Sequence, residues 1–272
     1  KTKIKTICVG NVYLGGTGKT SLTLKLNEIF NKKKIKTCLI KKFYKNQYDE
    51  QKILKNKGKL FLSNIRLNAL KEAEKENYEI AILDDGLQDL SIEYHVNLVC
   101  FNSINWVGNG MTIPSGPLRE DLNSIKKYKN VIINGNQENS EEIKYQILKI
   151  DKNINVYEGV YKPINLDEFS KNEKYLVFSG IGNHQTFISM INNYGLNIIK
   201  HIEFPDHYNY TQKDIDQIID EANNLNCKII TTEKDYFRID NKDINQIKFL
   251  ISELEILEED KMIENLLKDE KR

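Results

Sequence analysis

Arginine is scarce in this chain: of 40 basic residues only four are arginine, Arg66, Arg119, Arg238 and Arg272. Where lysine is the default cation, an arginine marks a place that needs a planar, bidentate fork for phosphate or carboxylate. Tail residue Arg272 is assigned no such role. Cysteine is equally sparse, and Cys8, Cys38, Cys100 and Cys227 lie far apart in apolar, strand-like runs with no C-x-x-C pair. That excludes a disulfide framework or a cysteine-rich metal site and predicts reduced core residues. Net charge is nearly absent: 40 basic against 39 acidic residues leave +1, so no overall field gathers nucleic acid and any anionic partner must be held locally. No run reaches the ~18 to 20 apolar residues of a spanning helix, and no charged-then-apolar leader opens the chain. The sequence starts at Lys1 and enters a strand almost at once, so an N-terminal piece outside it, such as a membrane anchor, is expected.

What is present is an alternation. The 272 residues, 40% hydrophobic, suffice for two compact domains. Short β-branched runs ("IKTICVG", "KTCLI", "KLFLS", "EIAILDD", "VNLVCF", "NVIING") alternate with helical patterns over about Lys19–Lys33 and Ile65–Glu76. This pattern predicts a mostly parallel sheet covered by helices on both faces. A second series follows "NVYEGVY", with "KYLVFSGIG", "LNIIKHIEF", "CKIITT" and "IKFLIS" separated by helices near Gln185–Asn193 and Gln212–Asn223. The expected organisation is an α/β core over 1–158 and a smaller C-terminal α/β domain over 159–272. The charged tail from Glu253 reads as a fraying surface helix.

Between the first strand and first helix stands "CVGNVYLGGTGKT", Cys8–Thr20. A phosphate-binding loop works because successive backbone N–H groups wrap phosphate oxygens at a helix N-terminus, where the helix dipole also favours negative charge. Here Tyr13, Leu14, Gly15, Gly16, Thr17 and Gly18 form the nucleotide cradle. Lys19 would reach the β and γ phosphates of ATP, and Thr20 would ligate Mg²⁺. Tyr13 replaces the first glycine of the general pattern, which weakens the motif more than the mechanism. "EIAILDDGLQD" supplies the acids: Asp84 and Asp85 at a strand tip repel each other unless a cation or donor separates them, and Mg²⁺ is the natural solution.

Three P-loop classes compete. A ParA-like ATPase wants lysine where Leu14 stands, and a GTPase wants N-K-x-D where the chain offers only "TTEKD". A small-molecule kinase remains, with an assembly ATPase lacking a lipid acceptor as the alternative. The segments "VGNVYLGGTGKT", "DEQKIL", "LDDGLQD", "GNGMTIPSGPLRE", "FPDHYNYTQKDI" and "TTEKDYFR" occur in the order and approximate spacing of the tetraacyldisaccharide 4′-kinase family, which the chain resembles from about residue 7 to 240.

The resemblance implies a P-loop core plus a smaller C-terminal domain that closes over the site, and ATP-dependent phosphorylation of the 4′-hydroxyl of a tetraacylated disaccharide 1-phosphate, giving lipid IVA. It implies a peripheral place at the cytoplasmic face of the bacterial inner membrane, with Mg²⁺ as cofactor and membrane contact through an N-terminal segment outside this sequence. By the same resemblance Asp49 is the base, assisted by His207 of "FPDH". Glu120 joins the metal ligands, and Glu50, Arg66, Arg119 and Asp206 are substrate or phosphate contacts. A direct role for Lys234 or Asp235 stays open. Three departures stand out. Lys41 and Lys42 replace the serine and arginine of the family's S-R-G-Y-G loop, and that stretch is much shorter here. Tyr208 replaces a second histidine, and the family's N-terminal amphipathic segment is not in the sequence. Tyr13 becomes a family-type variation, since that loop commonly carries a small hydroxyl residue in place of the glycine.

Overall fold

The structure is a computed structural model that describes residues 3–45, 47–136, 139–239 and 244–268, with the side chains of Tyr48 and Asp49 outside the description. The chain divides into two units, Lys1–Val160 with Leu254–Arg272, and Tyr161–Glu253.

The first unit contains β1 (Lys5–Gly10), α1 (Lys19–Lys32), β2 (Thr37–Lys42), α2 (Tyr48–Lys57), β3 (Leu60–Ser63), α3 (Arg66–Lys75), β4 (Ile80–Asp84), β5 (Val96–Asn102), β6 (Asn130–Gly135), α4 (Ser140–Ile150) and most of β7 (Asn155–Pro163). The second contains β8 (Lys174–Ser179), α5 (His184–Asn193), β9 (Asn197–Glu203), α6 (Gln212–Asn224), β10 (Lys228–Thr232), the short α7 (Glu233–Tyr236) and β11 (Ile247–Leu250). The chain ends with β12 (Ser252–Ile256) and α8 (Glu259–Leu267).

The first sheet has the order β12-β7-β6-β5-β1-β4-β2-β3, and its β1–β4, β1–β5, β2–β4, β2–β3, β5–β6 and β6–β7 pairs are all parallel. Every residue of β4 is buried, as is all of β1 except its first residue, because a strand covered on both faces must be apolar throughout rather than alternating. α1 docks by Leu22, Leu26, Ile29 and Phe30, a 3.6-period stripe. Burial of each leucine contributes ~1.5–3 kcal/mol. Progress from β1 runs outward to β2 and β3, and then β5 is laid down on β1's other side. The strand order therefore reverses at β1, and its carboxyl end is where open α/β sheets leave a ligand crevice.

The second unit is its own parallel sheet, β11-β10-β8-β9, with α5 and α6 supplying apolar faces to two clusters centred on Val177 and Phe178. The C-terminal stretch differs from expectation. Leu254 and Ile256, spaced by two, bury their side chains from β12, which extends the first sheet beside β7. Met262, Ile263 and Leu266 bury one face of α8. Asn265 Nδ2 donates to the Tyr157 hydroxyl at 3.0 Å, and Lys5 Nζ donates to the Leu267 carbonyl at 2.8 Å. Residues 254–268 therefore belong to the first unit, not to the C-terminal domain expected over 159–272, and they form a packed strand and helix. The apolar residues switch from period two to helical spacing at the "EED" turn, which composition alone conceals.

The cysteines are unpaired, and Cys8, Cys38 and Cys100 are buried while Cys227 is half-buried. Burial pushes the Cys8, Cys38 and Cys100 thiols up, so these are inert core groups.

Candidate active site

The loop between β1 and α1 takes the shape its glycines allow. Gly15, Gly16 and Gly18 have φ of 75°, 30° and 82°, a left-handed series closed to most side-chain-bearing residues. Gly18 sits at the N-cap of α1 without a side-chain cap, so the first N–H groups of the helix stay available to an anion. Thr17 is buried and clamped from two sides: Asn11 Nδ2 donates to its hydroxyl and Asn134 Nδ2 to its carbonyl, both at 2.9 Å. The sequence reading missed both asparagines; their signal was a polar residue at the carboxyl end of an otherwise buried strand.

The start of the predicted cradle is held differently. Tyr13 pairs with Leu118, and the Leu14 N–H donates to the Pro117 carbonyl at 2.8 Å. The Arg119 N–H returns to the Val12 carbonyl at 2.7 Å. The "PSGPLRE" segment is thus stitched to the phosphate loop, and Leu14's amide is already committed. Tyr13 is where that stitching begins, through its backbone.

Behind the loop lie the acids of β4. Thr20 Oγ1 lies 3.4 Å from Asp84 Oδ2, and Lys19 Nζ lies 3.7 Å from Asp85 Oδ1. Asp84 also receives Lys41 Nζ at 2.7 Å, and the same ammonium reaches Glu50 Oε2 at 2.7 Å. Arg119 Nη1 approaches Asp85 Oδ1 at 3.1 Å and the Gln88 carbonyl oxygen of the side chain at 3.2 Å. Separate cationic side chains therefore meet the two adjacent carboxylates. Burial alone would lower Lys41; Asp84 and Glu50 outweigh it and hold its pKa raised. Burial alone would raise Asp85, but Lys19 and Arg119 keep its carboxyl below the ordinary range.

The remaining candidates divide. Arg66, expected at a phosphate, donates to Asp89 at 3.0 Å and to the Asp85 carbonyl, bracing the turn after β4. Glu120 accepts from Gln88 and from Tyr128, both at 3.1 Å. Asp49 lies on α2, one residue before Glu50, with its side chain outside the description. Lys41 is the centre the sequence reading passed over, having noted it only as a departure; a lysine ending the buried strand "TCLIKK" was the available signal.

In the second unit His207 has φ of 60° and its Nδ1 accepts from Arg238 Nη2 at 3.3 Å, while its Nε2 lies 3.9 Å from Asp206 Oδ1. Because a guanidinium only donates, the proton of a neutral His207 sits on Nε2 in this arrangement. Asp235 is buried and receives the Gly180 N–H at 3.1 Å, the Tyr210 hydroxyl at 3.0 Å and the Thr232 hydroxyl at 2.6 Å. It is a hub that holds the "TTEKDYFR" loop, with Arg238 Nη1 paired to it at 3.2 Å.

A divalent cation fits these residues. Among the described residues no group of three or more His, Cys, Asp or Glu side chains converges as a closed metal cage. Mg²⁺ does not require one, since it keeps several waters and takes one or two protein oxygens plus phosphates. The Thr20 hydroxyl donates to Asp84 Oδ2, and Asp84 Oδ1, buried with no hydrogen-bond partner, is the acceptor such an ion would satisfy.

Residues 1–271 match the profile of the family described as tetraacyldisaccharide-1-P 4′-kinase. A tetraacyldisaccharide 4′-kinase of Pelagibacter ubique is 54% identical over 98% of this chain and 85% of its own length. One from Rickettsia felis is 32% identical over 97% and 84%. A solved structure of LpxK from Aquifex aeolicus, described as an "apo" form in complex with ATP, superposes with a TM-score of 0.64 at 20% identity, covering 97% of this chain and 89% of that one. That last likeness bears on the fold, which is shared. The chain belongs to the tetraacyldisaccharide 4′-kinase family.

Proposed function

We propose that this protein transfers the γ-phosphoryl group of ATP to the 4′-hydroxyl of a tetraacyldisaccharide 1-phosphate, giving lipid IVA in lipid A biosynthesis. The observation that carries the reading is the pairing of Thr20 with Asp84 and of Lys19 with Asp85 at the carboxyl ends of β1 and β4, in a chain matched along its length by this kinase family.

The loop N–H groups from Gly15 to Thr20 bind the phosphates, and Lys19 moves from Asp85 toward the terminal phosphate to offset charge as it is transferred. Thr20 and Asp84 would hold Mg²⁺, which when bound draws electron density from the phosphoryl oxygens. Arg119, held by Asp85 and Gln88, is proposed as a phosphate or acceptor contact. Asp49 accepts the proton of the sugar hydroxyl, assisted by His207. Such proton transfer contributes typically ~10² to 10⁴ in rate. Glu50 and Asp206, neighbours of these two in sequence, are proposed acceptor contacts.

The described residues contain no helix long and apolar enough to cross a membrane. A tetraacylated acceptor resides in a lipid leaflet, so we place the enzyme peripherally at the cytoplasmic face of the inner membrane. The test is transfer from radiolabelled ATP to disaccharide 1-phosphate in detergent micelles. Labelled lipid IVA is expected; ATP consumption by folded protein with no labelled lipid would instead support the assembly-ATPase alternative.

A further inference from the structure

Lys41 and Asp84 are register partners in the parallel pair β2–β4, so their side chains emerge side by side on one face of the sheet. Lys41 is only 3% exposed, and its ammonium lies 2.7 Å from both Asp84 Oδ2 and Glu50 Oε2. An ammonium so deeply buried is tolerated only where carboxylates surround it.

The cluster is close to neutral. Asp84, Asp85 and Glu50 supply three negative charges, and Lys41, Lys19 and Arg119, each ion-paired to one or two of them, supply three positive ones. Such a cluster exerts little net pull on a bare divalent ion, and an ammonium touching Asp84 repels one directly. Yet Asp84 Oδ1 remains buried without a partner, ready for a cation that arrives with negative charge of its own.

We propose that Lys41 is a built-in counter-ion that keeps Asp84 from taking up a free divalent metal ion, so that the metal enters only with nucleotide phosphates. Lys41 also ties Asp84 to α2, the helix that carries Asp49. It is a positioning residue, since it acts on the metal and on the base through Asp84 and Glu50. The inference rests on the kinase reading for its purpose but not for its test.

The test titrates Mn²⁺ alone into nucleotide-free protein and counts free ion by electron paramagnetic resonance. Wild type and Lys41→Arg are expected to bind Mn²⁺ weakly. Lys41→Met is expected to bind it at least about ten-fold more tightly, as removal of a contacting unit charge allows. Adding Asp84→Asn to Lys41→Met should abolish the gain. Should Lys41→Met fail to fold by circular dichroism, Lys41→Met with Glu50→Gln restores the charge balance and, because it still removes the ammonium that touches Asp84, is expected to show a smaller gain of the same sign. An unchanged Mn²⁺ affinity without the ammonium overturns the proposal, as does wild type that binds Mn²⁺ equally well with and without ATP. Unfolding of both variants overturns it too, because the ammonium would then be a folding requirement. Failure of wild type to label lipid would sink the kinase reading while leaving the Mn²⁺ result interpretable.

Discussion

Asn134, at the end of β6, donates its side-chain amide to the carbonyl of Thr17 at 2.9 Å, so the phosphate loop is gripped by a strand two places away from β1 in the sheet. With Asn11 holding the Thr17 hydroxyl, the loop is built in its binding shape before any nucleotide arrives. Asn134→Ala leaves a buried carbonyl unpaired, at a cost of ~1–3 kcal/mol. We expect a several-fold rise in the Kd for ATP by calorimetry, with a smaller change in acceptor KM; an unaltered Kd would show that the clamp is not needed.

Lys19 offsets charge on the group in flight, and its resting partner is Asp85 at 3.7 Å. Lys19→Ala should lower kcat by ~10² to 10³, the size typical of losing one transition-state donor. Steady-state kinetics with lipid acceptor checks this, and a change confined to KM would assign Lys19 to ground-state binding alone.

Asp49→Ala and His207→Ala should each lower kcat by ~10² to 10⁴ with little effect on ATP affinity. Full kcat in both variants would remove them from the proton transfer. The double variant should lose little beyond the worse single one if the two act as a unit.

The C-terminal helix contributes core, not decoration. Met262→Ala, at a fully buried position in α8, should destabilise the protein by ~2–5 kcal/mol in urea unfolding. A change within ~0.5 kcal/mol, the range for surface substitutions, would contradict the packing.

His184 in the second unit is buried, with Ser179 Oγ 2.7 Å from its Nδ1 and His201 Nδ1 3.0 Å from its Nε2. Burial first, then His201, lowers its pKa from 6.5 to about 4. The unfolded chain therefore binds a proton that the folded one refuses, and stability from this residue is present above pH 6.5 and lost as pH falls from 6.5 toward about 4. His184→Gln should flatten the fall in urea midpoint between pH 7 and 5 relative to wild type. Parallel profiles would show that carboxylates alone set the acid limb.

The sequence by itself determined the parallel α/β architecture, because strands buried on both faces must be continuous apolar runs and α1 must carry a 3.6-period stripe; "ICVG", "IAILD" and the Leu22–Phe30 stripe show both. It also determined the phosphate loop, since "GGTGKT" encodes local φ angles and a helix start that need no distant partner. Only the tertiary structure decided what depends on strands separated in the chain. Asn134 reaching Thr17, Lys41 reaching Asp84, and the pinning of Tyr13 and Leu14 by Pro117 and Leu118 all join residues tens of positions apart. The same is true of the cations that meet Asp84 and Asp85, which come from β2, the phosphate loop and the segment after Pro117. Placement of the tail was decided likewise, because β12 and α8 bury their apolar residues only against a sheet completed some 100 residues earlier, as the 108-residue span of the Asn265–Tyr157 bond shows.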